Sequence, residues 1–94
     1  MIDPTTRVRR NPDVVFRSLE EEQGGVLLHL QSGAYHGLNE FGSLIWGLIE
    51  NETRFADLVD GVRAVTEDAP ASLAEDVSGF VEDLNARDLV RLTP

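Results

Sequence analysis

Apolar and polar positions alternate along the first half of this chain and settle into a three-to-four-residue rhythm along the second. Alternation over short runs predicts strands, and the longer rhythm predicts amphipathic helices. Val14-Val15-Phe16 opens a first strand. Glu20-Glu21-Glu22-Gln23-Gly24-Gly25 is too polar for a core, and its two glycines supply a turn. Residues 26–30 are a compact aliphatic run with Val26, Leu28 and Leu30 on one face and Leu27 and His29 on the other. Apolar residues on both faces point to a central strand. Gln31-Ser32-Gly33 reads as a tight hairpin turn, with Gly33 free to take φ > 0. Residues 34–38 form the return strand, which lies at one edge of a three-stranded antiparallel meander.

Asn39 is a good N-cap, and Phe41, Leu44, Ile45, Leu48 and Ile49 after it form a complete helical stripe that Asn51-Glu52 ends. Thr53 can cap a second helix, in which Phe55, Leu58, Val59 and Val62 repeat the spacing. Pro70 lies in the following loop. Ser72-Leu73-Ala74-Glu75 has the capping-box pattern, and Leu73, Val77, Phe80, Val81 and Leu84 line one face of a third helix. Leu89-Val90-Arg91-Leu92 could add a short terminal strand. Residues 1–12, bracketed by Pro4 and Pro12, read as a loosely held, flexible arm that could carry a short strand at 6–10, with the folded domain at 13–94. Three strands followed by three helices give an α+β arrangement. The second and third helices also resemble a winged helix-turn-helix.

Ninety-four residues suffice for one domain. No cysteine is present, which excludes disulfides, thiolate metal sites and Cys nucleophiles and fits a cytoplasmic protein. The first residues lack the basic and apolar regions of a signal peptide, and no run is long enough to span a bilayer. The formal charge of −9 would repel nucleic acid and attract a basic peptide or surface. The alternative reading is that this charge serves solubility alone. Four of the eight bases, Arg7, Arg9, Arg10 and Arg17, lie in the first seventeen residues.

The chemistry-bearing residues form no catalytic pattern. His29, mid-strand, and His36, on the edge strand, could approach each other across the hairpin, but no third ligand stands at a spacing that completes a metal site. Partly exposed histidines facing solvent or a partner are the plainer reading. No serine sits in a nucleophile elbow, and Ser43 is read as solvent-facing within the first helix. Phosphate loops are absent, and the carboxylate pairs occur as surface runs such as Glu82-Asp83. A DNA-reading role for the third helix is disfavoured by Glu75, Asp76, Glu82 and Asp83 set against one Arg87. An enzyme, a resident cofactor, a nucleic-acid partner and a membrane partner are therefore not expected. What remains is a strand edge, Ala34-Tyr35-His36-Gly37-Leu38, that carries neither Lys nor Pro to blunt it. Such an edge is either merely short or open to an extended guest peptide.

The stretch 25–39, Gly-Val-Leu-Leu-His-Leu-Gln-Ser-Gly-Ala-Tyr-His-Gly-Leu-Asn, resembles the hairpin of the PqqD-like family, also called the RiPP recognition element. Phe41-Gly42-Ser43-Leu44-Ile45-Trp46 is similar to that family's opening of the first helix. Asp76-Val77-Ser78-Gly79-Phe80-Val81-Glu82-Asp83-Leu84 with Arg87-Asp88-Leu89-Val90 resembles its last helix. The likeness runs over about residues 13–92, and its specificity lies in the ordered combination, not in any one motif. It implies a winged helix-turn-helix-like fold that binds the leader of a ribosomally made precursor peptide as an added strand. Carried over, the peptide-binding edge is Ala34, Tyr35, His36, Gly37 and Leu38, and the helix wall is Asp76, Phe80, Asp83 and Arg87 with Leu84 beside them. Phe80 could equally be pure core, and Asp76 and Asp83 would suit basic residues of a leader. The chain looks most like the small freestanding members that present a leader to a leader peptidase and a cyclase in lasso-peptide biosynthesis. The alternatives are a member that delivers a precursor to a radical enzyme in pyrroloquinoline quinone biosynthesis, or an acidic winged helix-turn-helix adaptor that binds protein through its third helix.

Overall fold

A computed structural model describes residues 2–19, 24–49 and 52–94. Its elements are β1 (Arg7–Arg10), β2 (Val14–Leu19), β3 (Gly24–His29), β4 (Tyr35–Leu38), α1 (Glu40–Leu48), β5 (Glu52–Arg54), α2 (Phe55–Val65), α3 (Leu73–Ala86) and β6 (Val90–Thr93). The antiparallel meander β2-β3-β4 and the three helices after it follow the α+β, winged helix-turn-helix-like order read from the sequence. A second antiparallel sheet, in the order β5-β1-β6, is additional.

That second sheet gives residues 2–12 a different setting from a loose arm. Val8 pairs with Thr53 on one side and Leu92 on the other, and it is fully buried. Ile2 is also buried, and its N–H donates to Ser78 Oγ at 2.9 Å. Local pattern could not reveal this, because residues 7–10 carry one apolar side chain among three arginines. The partners that make them a central strand lie more than forty positions away. Arg10 shows how a charge is accommodated there. Its Nη2 donates to the Trp46 carbonyl at 2.6 Å, and its guanidinium lies 4.8 Å from the Trp46 ring centroid.

β3 is the central strand of its sheet, as its apolar run implies. Its buried face is Gly25, Leu27 and His29, whereas Val26 and Leu28 are half-buried and Leu30 is exposed. Gly24 and Gly25 are strand residues, not a turn; Glu20–Gln23, the rest of that expected turn, lie outside the described residues. A Cβ on Gly25 would strike the Phe16 ring, and one on Gly24 would strike the Leu38 carbonyl, so close packing requires glycine at both. The β3–β4 turn behaves as expected, with Gly33 at φ 74°.

Asn39 caps α1, its Oδ1 accepting from Gly42 N–H at 2.8 Å. The helix ends at Leu48, sooner than its apolar stripe suggests, and Ile49 is the C-cap. Asn51, the expected terminator, lies outside the described residues. Thr53 is in β5 and does not cap α2; Arg54 holds that place without a side-chain cap bond. The expected capping box at α3 is not formed either: Ser72 Oγ reaches Asp76 Oδ2 at 3.2 Å in place of a backbone amide. Ile45, Trp46 and Ile49 of the α1 region, Leu58 and Val62 of α2, and Leu73, Val77, Val81 and Leu84 of α3 meet Leu27, Val8 and Val90 in one core. No helix among the described residues is long and apolar enough to cross a membrane.

Candidate functional site

β4 is the edge of its sheet, and α3 runs beside it in the opposite direction. Three contacts mark the alignment. Phe80 packs over Gly42 just past the end of β4, where a Cβ on Gly42 would lie 3.1 Å from the ring. Asp83 Oδ2 stands 4.0 Å from Nε2 of His36 in the strand. Asp88 Oδ2, just past the end of α3, lies 3.1 Å from Nε2 of His29, next to the turn that starts β4. Edge strand and helix thus lie side by side, touching at these points, and are the two walls between which a guest strand would have to lie.

The hydrogen-bond alternation of the hairpin decides what the strand wall offers. His29 N–H donates to the Ala34 carbonyl at 2.9 Å. In an antiparallel pair, hydrogen-bonded and non-hydrogen-bonded positions alternate. His36, opposite Leu27, and Leu38, opposite Gly25, therefore spend their N–H and C=O groups on β3. Tyr35 and Gly37, opposite Leu28 and Val26, direct theirs to the open side. Among the described residues no strand pairs with that side, since β1 and β6 are joined to each other. Gly37 has nothing within 4 Å of where a Cβ would stand, and Tyr35 is 74% exposed.

The side chains expected to form the peptide site separate into three groups. Ala34, Tyr35 and Gly37 are exposed on the strand wall, with His36 half-buried beneath it and Leu38 buried under its end. Phe80 is half-buried, and Asp83 is exposed and held by Arg87, whose Nε donates to Oδ2 at 3.2 Å. These three line the helix wall. Asp76 lies in the first turn of α3, where it accepts from Ser72, and Leu84 is fully buried in the core behind the wall. Asp83 thus lies between the guanidinium of Arg87 on its own helix and the imidazole of His36 on the strand.

Two side chains differ from their expected roles. His29 is 6% exposed rather than facing solvent or a partner. Its position opposite Val14 turns it towards the end of α3, where Asp88 receives it. Ser43 does not face solvent: its Oγ is buried, without a hydrogen-bond partner among the described residues. It borders a groove of about 830 Å³, on the β2 side of α1 and away from the β4 edge, that also includes Phe16, Phe41 and Val65. No cluster of three metal-ligating side chains occurs among the described residues. Asn11 and Asp88 are the residues that sequence reasoning missed. The usable sign was Asp88 lying just beyond the last apolar residue of a helical stripe, at a position that usually takes glycine.

Residues 24–90 match the family described as coenzyme PQQ synthesis protein D (PqqD). No curated protein matches the chain. Among solved structures, TbiB1 in complex with the TbiA(beta) leader peptide is 30% identical, with a TM-score of 0.75 over 88% of this chain and 94% of that one. A lasso peptide synthetase B1 complexed with the leader peptide is 22% identical, with a TM-score of 0.69 over 89% of this chain and 96% of that one, a likeness of fold. The hairpin, the helix beside its edge and these matches together place the chain in the PqqD-like family of RiPP recognition elements.

Proposed function

We propose that this chain is a non-catalytic module that captures the leader of a ribosomally made precursor peptide by strand addition along β4, and presents it to a leader peptidase and a cyclase in lasso-peptide biosynthesis. One observation carries the reading: the outward backbone groups of Tyr35 and Gly37, on an edge that the chain's own first and last strands leave open, beside the wall formed by α3. The 30% identical TbiB1, solved with its leader peptide, supports it.

Ladder bonds alone return little net energy, because each replaces a bond to water. Ordering an extended peptide costs several kcal/mol, so side chains of the guest must supply the surplus. Inward-pointing guest residues meet the ring of Phe80 and the carboxylate of Asp83. The groove therefore favours an apolar anchor with a basic residue nearby. Micromolar-to-nanomolar affinity with two or three dominant anchors is expected.

Titration with the TbiA(beta) leader peptide and with the leader of the precursor encoded beside the gene, each followed by amide exchange, tests this. Binding with new protection at Tyr35 and Gly37 is expected. Protection confined to residues 72–87 would instead mark an adaptor binding through α3, and absence of binding by both peptides would reject leader capture. The matched family description favours a second pathway assignment, delivery of a precursor to a radical enzyme in pyrroloquinoline quinone biosynthesis. Stimulation of a leader peptidase or of a radical enzyme, each assayed with its own precursor, separates the two.

A further inference from the structure

We propose that His29 and Asp88 form a positioning clamp, backed by Asn11, that fixes the spacing between the β4 and α3 walls of the groove. The proposal rests on the leader-capture reading for its functional meaning and on the following geometry for its existence.

His29 organises the turn from which β4 starts. Its N–H donates to the Ala34 carbonyl at 2.9 Å, its carbonyl accepts from Gly33 N–H at 2.8 Å, and its ring Nδ1 accepts from Ser32 N–H at 3.3 Å. A backbone N–H can only donate, so Nδ1 carries no hydrogen and Nε2–H is the donor towards Asp88 Oδ2 at 3.1 Å. Asp88 terminates α3. Its N–H bonds the Asn85 carbonyl at 3.1 Å, and Leu89 N–H bonds the Leu84 carbonyl at 2.9 Å, the paired bonds of a Schellman ending. The residue after the C-cap in that motif takes a left-handed conformation and is usually glycine; here it is Asp88 at φ 59°. A side chain is kept where its absence would relieve backbone strain, and that side chain is spent on His29 and Asn11.

Asn11 closes the arrangement. It is 1% exposed, and its Nδ2 donates to the Asp88 carbonyl at 2.8 Å and to Asp88 Oδ2 at 3.2 Å. Its Oδ1 accepts from Asp13 N–H at 2.9 Å, and its own N–H bonds the Leu89 carbonyl at 3.1 Å. With both amide hydrogens directed to Asp88, its 3.4 Å approach to His29 Nε2 is a packing contact. The end of α3, the start of β4 and the β1–β2 connection are thereby tied at one point. At the far end Phe80 of α3 packs over Gly42 of α1, just past the end of β4.

The test uses Asp88→Gly and Asp88→Asn in the full chain. Glycine relieves the left-handed backbone and deletes the carboxylate. Asparagine tolerates that backbone and keeps an oxygen to receive Nε2–H. The clamp predicts that Asp88→Gly keeps or raises the melting temperature yet binds the TbiA(beta) leader peptide, followed by fluorescence anisotropy, about tenfold more weakly. Asp88→Asn should restore near wild-type affinity. In the free protein, Ser32 and Gly33 amides should exchange faster in Asp88→Gly than in Asp88→Asn, and nitrogen NMR at pH 8 should show His29 as its Nε2–H tautomer. Wild-type affinity in Asp88→Gly, or unchanged exchange at Ser32 and Gly33, overturns the clamp. If the wild-type protein does not bind the peptide while the exchange difference holds, the clamp stands as a feature of the fold and the leader reading is what fails.

Discussion

Leu84 and Phe80 lie four positions apart on α3 and divide the work of its groove side. Leu84 is fully exposed to the core and not at all to solvent, whereas Phe80 keeps part of its ring at the groove over Gly42. Truncating Leu84 to Ala should therefore act on stability through a cavity, costing about 2–5 kcal/mol. Urea unfolding should show that loss, while the folded fraction binds leader with unchanged affinity. A fall in affinity without a fall in stability would return Leu84 to the peptide site. His29 teaches the same distinction. A polar residue alternating with Leu27 on one strand face sits inside or outside according to what the other side of the molecule presents, and here that is the carboxylate of Asp88.

At the scale of the element, β4 derives its potential from pairing parity. Gly37 directs its N–H outward and has open space beside it. Replacing it with Pro removes one donor from the edge, a net bond of about 1 kcal/mol, and should weaken leader binding about five- to tenfold in calorimetric titration. Gly37→Ala keeps the N–H and should bind as the wild type does. Equal behaviour of the two variants would mean that the guest does not pair at this position. Much of this element was legible beforehand: Gly33 for the turn, Asn39 for the cap of α1, and an edge without Lys or Pro between them. Which of its amides face outward was not, because parity depends on the register with β3.

Across the whole molecule, a formal charge of −9 surrounds a groove whose own carboxylate is flanked by His36 and Arg87. Diffuse charge acts on encounter more than on the final contact. Raising salt from about 50 to about 500 mM, which shortens the screening length from over ten to a few ångströms, should slow association of a basic leader several-fold and leave dissociation nearly constant. Stopped-flow anisotropy measures both rates, and a salt effect confined to dissociation would place the dominant charge contact inside the groove. The second sheet matters at this scale as well. By pairing β1 with β5 and β6, it engages both ends of the described chain away from β4.

The amino-acid sequence by itself determined the β2-β3-β4 meander, the three helical stripes and the edge position of β4, because each rests on local periodicity, sharpened by Gly33 at one turn and Asn39 at one cap. Tertiary structure alone decided that Val8 is a core residue, that His29 points inward, and that Asp88 and Asn11 meet it. Those facts depend on partners tens of residues distant. A single apolar residue among arginines, or a lone histidine on a strand, carries no local trace of what the rest of the chain brings to it.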